Sequence, residues 1–233
     1  IYGTLVSSLI ALVIAVPVSL GIALFTTQVA GKRLRTPIGL VMDLLAAIPS
    51  VVYGLWALLV LIPFLVPQDG SVGIYQRVAE SVGTWPIIGA ILGGPVYGAA
   101  FMTAGLILAC MITPIITSLS REVIATVPSA QREAALALGA TRWEMIRGSV
   151  LPWSRGGITG AVLLGLGRAM GETIAVAMVI GGSVQITSKI FQPGQSMAGI
   201  IANQFGEAQG TNRAALIGLG AALFLITIIV NMS

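Results

Sequence analysis

The feature that most constrains the fold is an apolar run from residue 4 to residue 27 that contains no charged side chain. A helix of about 20 residues is long enough to cross the hydrocarbon core of a bilayer. Where lipid surrounds a chain, each segment must pair its own backbone polar groups, which a helix does. Only 9% of the 233 residues are charged and 56% are apolar, so a soluble globular fold is a poor fit. The sequence therefore predicts an all-α, polytopic membrane protein.

Four more apolar runs follow the first. The five predicted spans are residues 4–27, 38–66, 98–118, 158–182 and 214–232. The second run is 29 residues long and contains Asp43 and Pro49. A run of that length and composition predicts a kinked or tilted helix. We expect Asp43 to lie at the membrane interface, near Lys32 or Arg33.

The connections between the spans alternate in charge. Residues 28–37 and 119–157 together carry eight Lys and Arg, whereas residues 67–97 and 183–213 carry three. By the positive-inside rule, the first two connections are cytoplasmic and the other two are external. Five spans in this order place the first residue outside. We therefore expect a sixth helix in a longer chain, trimmed here at one or both termini.

The residue inventory excludes several function classes. The sequence has no histidine and one cysteine, Cys110, which excludes Ser-His-Asp and Cys-His catalysis, histidine-ligated metals and a disulfide within the chain. The net charge of +4 comes from basic residues spread over short connections, so we expect no nucleic-acid partner. The sequence has no GxxxxGK[ST] phosphate-binding loop. We expect a chain that is not an enzyme and that holds no cofactor or metal of its own.

Residues 128–152 have the pattern of two short helices joined by a bend. Ser129 is a candidate N-cap of the first helix, and Gly139 can adopt the left-handed conformation that closes it. Thr141 and Glu144 have the spacing of a capping box and open a second helix, predicted to end before the final proline of the segment. From this local pattern alone, an ordinary helical hairpin is about as good an interpretation as a docking element.

The spacing within this segment resembles the EAA loop of permease subunits in binding-protein-dependent ABC importers. Glu133-Ala134-Ala135 is followed after three residues by Gly139 and, after eleven more, by Leu151-Pro152. The resemblance implies a single permease domain over 1–233, with a cytoplasmic loop at 121–152 that docks in a groove of an ATPase subunit. The residues that it assigns to this coupling are Arg132, Glu133, Ala134, Ala135, Gly139, Ala140, Thr141, Leu151 and Pro152.

Three other stretches narrow the resemblance to the phosphate permeases of the Pst system. They are residues 48–54 (IPSVVYG), 167–173 (GRAMGET) and 200–208 (IIANQFGEA). The last is more similar to the PstC type of permease than to its PstA partner. Permeases for another oxyanion, such as sulfate or molybdate, or for another solute share the EAA loop and remain alternatives. A passive or ion-coupled channel is an alternative from a different class.

The resemblance also implies a set of partners and a location. The expected partners are a PstA-like permease subunit, a dimer of PstB-like ATPase subunits, a PstS-like phosphate-binding protein, phosphate and the lipid bilayer. ATP and Mg²⁺ would be used by the ATPase subunits. The expected location is the bacterial or archaeal cell membrane, which is the inner membrane where there are two.

Two charged residues, Arg168 and Glu172, lie within the apolar run 158–182. On one continuous helix they would share a face near the middle of the bilayer. One interpretation is an ion pair that fixes helix packing. The other is a transient site in which the guanidinium binds an oxyanion and the carboxylate compensates it when no anion is present. The resemblance assigns the pair to transport, and Thr173 could add a hydroxyl group.

Pro49 interrupts the second apolar run. A helix that restarts at Ser50 would direct free N–H groups and a positive dipole end toward the substrate pathway. A simple kink, with Ser50 and Tyr53 in packing roles, is the alternative. The predicted substrate-pathway residues are Arg168, Glu172, Thr173, Ser50 and Tyr53.

Overall fold

The computed structural model describes residues 1–67, 71–83, 85 and 88–232, and only the backbone of Lys32, Asn231 and Met232. In this part of the chain the regular structure is helical, apart from one isolated parallel bridge between Gly181 and Gly194. The predicted all-α fold is confirmed. The α-helices of the described residues are α1 (Tyr2–Leu24), α2 (Lys32–Ala47), α3 (Ser50–Trp56), α4 (Ile62–Leu65), α5 (Ile74–Val82), α6 (Ile88–Leu92), α7 (Phe101–Ala125), α8 (Ser129–Ala137), α9 (Arg142–Met145), α10 (Leu151–Gly171), α11 (Ile174–Val179), α12 (Met197–Gln204) and α13 (Gly210–Met232).

Most of the predicted spans correspond to helices of the structure. Within the described residues, three helices are long and apolar enough to cross a membrane, namely Tyr2–Val29, Phe101–Ala125 and Gly210–Val230. A fourth span results if Arg33–Ala47 and Ser50–Leu65 are taken together, and this pair is bent at its break. The bend confirms the kink predicted in the second apolar run.

The predicted fourth span, residues 158–182, is wrong as a single helix. Helix α10 begins earlier, at Leu151, and its 21 residues are about 31 Å long. It ends at Gly171, and α11 begins at Ile174, so that Glu172 and Thr173 lie in a break between two helices. Glycine is a weak helix former, which favours an end at this point.

Three five-residue π-helical turns interrupt the α-helical pattern, at Phe25–Val29, Ala57–Leu61 and Ile146–Val150. The second ends two residues before Pro63, and the third ends two residues before Pro152. A proline lacks the N–H of a normal helical turn, and its ring clashes with the carbonyl four residues earlier. The wider π turn changes the hydrogen-bond register just before each of these prolines.

The π turn before Pro152 corrects one prediction. The Leu151 N–H donates to the carbonyl oxygen of Ile146, five residues earlier, instead of the usual four. The sequence predicted that the helix ends before Pro152, and this prediction is wrong. The helix continues without interruption from Arg142 to Gly171.

Contacts along the chain define two compact units. The first comprises Ile1–Ala11, Ile48–Ala109 and Gly167–Ser233, and the second comprises Leu12–Ala47 and Cys110–Leu166. A core cluster in the first unit centres on the rings of Tyr75 and Phe191, whose centroids are 4.5 Å apart.

The second unit has a core cluster that joins the ends of α1 and α7 to the segment that follows α8. Its buried members are Ala23, Ile124, Val127, Met145, Ile146 and Val150. Burial of these side chains anchors the segment 128–152 to the membrane-crossing helices of the same unit.

Helices α7 and α10 approach closely in the second unit because glycines face the contact. A Cβ atom at Gly165 would lie 2.8 Å from two side-chain carbons of Ile116. A Cβ at Gly157 would likewise collide with Val123. At Gly160, on the same helix, a Cβ would meet no atom within 4 Å.

These contacts predict opposite outcomes for two matched substitutions. We expect Gly165→Leu to lower the free energy of unfolding by about 1–3 kcal/mol, because the added side chain overpacks the contact with Ile116. Gly160→Leu, the control, should change stability little because its side chain has open space. Thermal unfolding of both variants in detergent measures the difference. Equal unfolding midpoints would contradict this packing.

Candidate functional site

The five predicted substrate-pathway residues all lie in the first compact unit. Ser50 and Tyr53 are on α3, and both are half-buried. Arg168 is exposed in the last turn of α10, where a cation interacts favourably with the helix dipole. Glu172 and Thr173 form the break before α11 and are half-buried.

The predicted pairing of Arg168 with Glu172 on one helix face is wrong. The α-helix ends between them, so the four-residue spacing no longer places both side chains on one face. Among the residues that the structure describes, no ion pair or hydrogen bond joins the two. Arg168 therefore presents a guanidinium group that is not neutralised by Glu172.

The polar side chains of the break bind the local backbone instead. The Ala175 N–H donates to Oε1 of Glu172 at 3.3 Å, which satisfies one of the free donors at the start of α11. The Thr173 hydroxyl donates to the carbonyl oxygen of Gly171 at 3.2 Å, at the end of α10. Both helix ends at the break are thus partly capped by the residues between them.

The predicted restart of a helix at Ser50 is confirmed. Pro49 is the N-cap of α3, with an extended ψ of 140°, and no side chain caps this helix start. Ser50 is the first helical residue. The N–H groups at the start of α3 are therefore left without a side-chain cap, unlike those at the start of α11.

Helix α3 packs directly on α11 through Gly54, which is buried. A Cβ at Gly54 would lie 2.9 Å from Sδ of Met178 and 3.0 Å from Cα of Ala175. The second of these atoms belongs to the backbone and cannot move aside easily. Only glycine therefore allows the two helices to approach this closely at residue 54.

Two contacts show that these helices run in the same direction. The Ala100 N–H donates to the carbonyl oxygen of Val179, the last residue of α11, at 3.0 Å. Two residues earlier, Gly98 lies against the side chain of Ile62. The end of α11 is therefore close to the far end of the segment that begins with α3. As a result, the starts of the two helices, and the two breaks that precede them, lie side by side.

This arrangement brings two positive helix ends close together. Two parallel helices begin at the same level, and each contributes a positive dipole end. Arg168 lies four residues before the break that precedes α11. Helix starts at broken membrane helices are suited to binding anions. The Glu172 carboxylate is the negative charge that the chain itself supplies there.

The segment predicted as a coupling loop lies entirely in the second compact unit. Its predicted N-cap, Ser129, is wrong: Pro128 occupies the capping position with a ψ of 136°, and Ser129 is already helical. The proline, with its restricted φ, takes the position at which the chain enters the helix. Gly139 has a φ of +83°, which confirms the predicted left-handed closure of the first helix.

The predicted capping box at Thr141 and Glu144 is confirmed. The Glu144 N–H donates to the Thr141 hydroxyl oxygen at 3.3 Å, and the Thr141 N–H donates to the Glu144 carboxylate at 2.7 Å. The backbone and hydroxyl donors of Thr141 hold the pKa of Glu144 below its usual value. The ionised carboxylate therefore stabilises this cap at neutral pH, and the contribution is lost as the pH falls through the lowered pKa.

The predicted coupling residues divide into an anchored set and an exposed set. Ala135 and Leu151 pack against the core cluster of the second unit. An Arg132 nitrogen, Nη2, donates to the carbonyl oxygen of Val127 and ties the loop to the end of α7. Ala140 is half-buried. The exposed set comprises Glu133, Ala134, Gly139, Thr141 and Pro152.

A groove next to the exposed set contains residues that the sequence did not identify. It has a volume of about 600 Å³ and is bordered by Ala134, Leu138, Pro152 and Trp153, among others. Leu138 is 90% exposed and Trp153 is 52% exposed. In the sequence, the signal for these residues was a large apolar side chain near a helix end within an otherwise polar connection. Together with Trp143, they give the loop an apolar surface suited to a partner protein.

Comparison with known proteins supports the resemblance. The pattern of the family described as "Binding-protein-dependent transport system inner membrane component" matches residues 8–233. The "Phosphate transport system permease protein PstC" of Xylella fastidiosa is 50% identical over 227 residues, which cover 97% of this chain and 68% of that protein. The PstC protein of Pasteurella multocida is 44% identical over 230 residues, which cover 99% of this chain and 70% of that protein. PstC 2 of Mycobacterium tuberculosis is 44% identical over 234 residues, covering 98% and 69%.

Solved structures show the same fold. The inward-facing MetNI methionine ABC transporter matches with a TM-score of 0.65 at 19% identity, covering 99% of this chain and 87% of that chain. An amino acid ABC transporter matches with a TM-score of 0.58 at 16% identity, and the match covers 98% of this chain and 86% of that chain. The predicted ABC importer permease fold is thereby confirmed. The chain is an integral membrane protein that belongs to the family of binding-protein-dependent transport system inner membrane components, in its PstC group.

Proposed function

We propose that this chain is one permease half of an ATP-driven importer of inorganic phosphate in a bacterial or archaeal cell membrane. The observation that supports it most is the pair of adjacent helix starts, with the exposed Arg168 four residues before the break that precedes α11. The names of its PstC relatives indicate the substrate. The partners would be a PstA-like permease, a dimer of PstB-like ATPase subunits that use ATP and Mg²⁺, and a PstS-like binding protein.

Transport of phosphate into the cell requires an energy source. Moving a dianion inward against a potential of about 100 mV, negative inside, costs about 4.6 kcal/mol before any concentration gradient. The sequence contains no nucleotide-binding loop of the GxxxxGK[ST] type. In this proposal the energy comes from ATP hydrolysed by the partner ATPase and reaches the permease through the coupling loop.

Arg168 and Glu172 would act on the substrate in opposite ways. The Arg168 guanidinium offers a planar set of donors that matches the oxygens of phosphate. Glu172 accepts a hydrogen bond at the start of α11 and keeps that positive helix end compensated while the pathway is empty. An arriving anion would be attracted by the arginine and repelled by the carboxylate. Binding would therefore be weak enough for the anion to leave.

The Ser50 hydroxyl would add a neutral donor near the start of α3, and the Thr173 hydroxyl would do so near α11 on giving up its hydrogen bond to the Gly171 carbonyl oxygen. Both residues are half-buried at the breaks. Tyr53, one turn after Ser50 on α3, already takes part in another interaction in the structure. A direct role of these three residues in transport stays a prediction.

Substitution of Arg168 tests the pathway. We expect Arg168→Ala to lower phosphate uptake about 10- to 100-fold, because hydrogen bonds to charged groups contribute about 1.5–3 kcal/mol. Arg168→Lys should restore part of the uptake, since it keeps the charge without the planar donors. The measurement is uptake of labelled phosphate into proteoliposomes that contain the complete complex. Sulfate and molybdate are assayed in parallel.

Arg77→Ala is the matched control, because it removes the same charge from an exposed position on another helix, α5. Assembly of each variant complex and its ATP hydrolysis show that the protein is folded. Wild-type phosphate uptake by Arg168→Ala would contradict the proposed pathway. Uptake of sulfate or molybdate in preference to phosphate would contradict the proposed substrate.

Two substitutions at Glu172 separate its charge from its capping role. Glu172→Gln keeps an oxygen acceptor for the Ala175 N–H and removes the charge, so we expect altered uptake with little change in stability. Glu172→Ala also removes the acceptor and should lower the free energy of unfolding by about 1 kcal/mol, the usual effect of losing a helix cap. Uptake assays and thermal unfolding measure the two effects. If the two variants have equal stability, Glu172 does not cap α11.

A crosslinking experiment tests the coupling loop. In a Cys110→Ser background, we expect Ala134→Cys to form a crosslink to the ATPase subunit, because Ala134 is exposed beside the apolar groove. Ala202→Cys is the control, since it is exposed in the predicted external connection. Mass spectrometry of the crosslinked products identifies the partner. Failure of Ala134→Cys to react in an assembled complex that hydrolyses ATP would count against docking at this loop.

A further inference from the structure

A cavity between α2 and α7 contains charged groups that transport does not explain. It lies within the second compact unit, has a volume of about 490 Å³, and is thus of the size of a small-molecule site. Two arginines and two carboxylates line it: Arg35, Arg121, Asp43 and Glu122. The charges of the lining therefore sum to zero.

The spacing of the lining residues places them on one face of each helix. On α2, Arg35, Gly39 and Asp43 are spaced four residues apart, so they lie on one face of the helix. On α7, Arg121 and Glu122 belong to the part that faces the cavity. The guanidinium group of Arg121 lies over Gly39, where a Cβ atom would collide with it. The absence of a side chain at Gly39 thus makes room for the Arg121 side chain.

The arginines and carboxylates line the same cavity but do not pair with one another across it. In the described part of the chain, Arg121, Asp43 and Glu122 form no ion pair and no hydrogen bond through their side chains. Arg35 is only partly occupied: its Nε donates to the carbonyl oxygen of Thr26 at 2.9 Å, and its Nη2 donates to that of Thr27 at 2.6 Å. A ligand that carries both charges could satisfy both sides of the cavity at once.

The position of the cavity indicates where such a ligand would come from. It lies next to the two connections, 28–37 and 119–157, that carry most of the basic residues and are predicted to be cytoplasmic. Leu40 and Ala125 extend its wall with apolar surface. Basic pockets between membrane helices on the cytoplasmic side bind the phosphates of lipid head groups. The two arginines of this cavity offer the same contacts to a phosphate.

The chemistry of the lining selects among head groups. The two arginines attract a phosphate group. A head group whose only charge is its phosphate would be repelled by the carboxylates of Asp43 and Glu122. A primary ammonium group can donate hydrogen bonds to both carboxylates, whereas a quaternary ammonium group has no N–H to donate. A phosphate joined to a primary ammonium is therefore the best complement.

We propose that the cavity between α2 and α7 binds a phosphoethanolamine group, with the phosphate on Arg35 and Arg121 and the ammonium near Asp43 and Glu122. Phosphatidylethanolamine of the cytoplasmic leaflet and free phosphoethanolamine share this chemistry. When occupied, the cavity links α2 to α7 through the ligand. No residue that lines this site is a predicted substrate-pathway residue, and the proposal does not depend on which solute is transported.

Native mass spectrometry of the complete purified complex tests the proposal. Phosphatidylethanolamine, phosphatidylglycerol and phosphatidylcholine are added at equal concentration, and retained lipid is counted for each complex. We expect phosphatidylethanolamine to be retained at least about fivefold more than the other two, a difference of about 1 kcal/mol. Arg121→Ala should abolish this retention. Asp43→Asn should lower the preference for phosphatidylethanolamine over phosphatidylglycerol.

Two further variants make the result interpretable. Arg33→Ala removes an arginine of the same helix that does not line the cavity, and it should retain the lipid as the wild type does. Gly39→Ala keeps every charge but displaces the Arg121 guanidinium, so it should lower retention even if Arg121→Ala fails to assemble. Equal retention by Gly39→Ala, Arg33→Ala and the wild type would overturn the proposal.

Soluble phosphoethanolamine distinguishes the two sources. The site is assigned to the lipid if phosphatidylethanolamine is retained and free phosphoethanolamine does not displace it. The site is assigned to the soluble compound if the complex retains free phosphoethanolamine, shows no preference among the lipids, and loses this retention in Arg121→Ala. No retention of either compound by the wild-type complex, or better retention of phosphatidylglycerol, would overturn the proposal.

Discussion

The requirement that backbone polar groups be paired in apolar surroundings governs this protein. Helices meet the requirement within each segment, so a helix that stops inside an apolar run needs other partners for its free N–H and carbonyl groups. The break after α10 obtains them from its own side chains, since Glu172 accepts from Ala175 and Thr173 donates to Gly171. The break before α3 has no such side-chain cap. The two breaks lie next to each other, and on the proposed function this is the region that attracts the anion.

The sequence predicted the features that depend on local pattern. Long charge-free runs identified the membrane helices, and Pro49 identified the restart of α3, because both follow from hydrogen bonding along a single segment. The capping box at Thr141 and the left-handed Gly139 were predictable for the same reason. Each of these features depends on the residues of one segment, so little information from the rest of the fold was needed.

The predictions that failed depended on competition between local alternatives. A four-residue spacing suggested that Arg168 and Glu172 share a helix face, but Glu172 forms a hydrogen bond with the backbone of the next helix and leaves the first. Pro152 suggested a helix end, but a π turn changes the register before it. The parallel packing of α3 on α11 and the cavity between α2 and α7 join residues far apart in sequence. Spacing within one segment carries no information about them.

The π turn at Ile146–Val150 has a mechanical consequence. Because it carries the helix past Pro152, the 30 residues from Arg142 to Gly171 form one continuous helix. This helix begins in the loop that would contact the ATPase, and Arg168 lies one turn before its end. In the proposed importer, no flexible connection would therefore separate the coupling loop from the arginine.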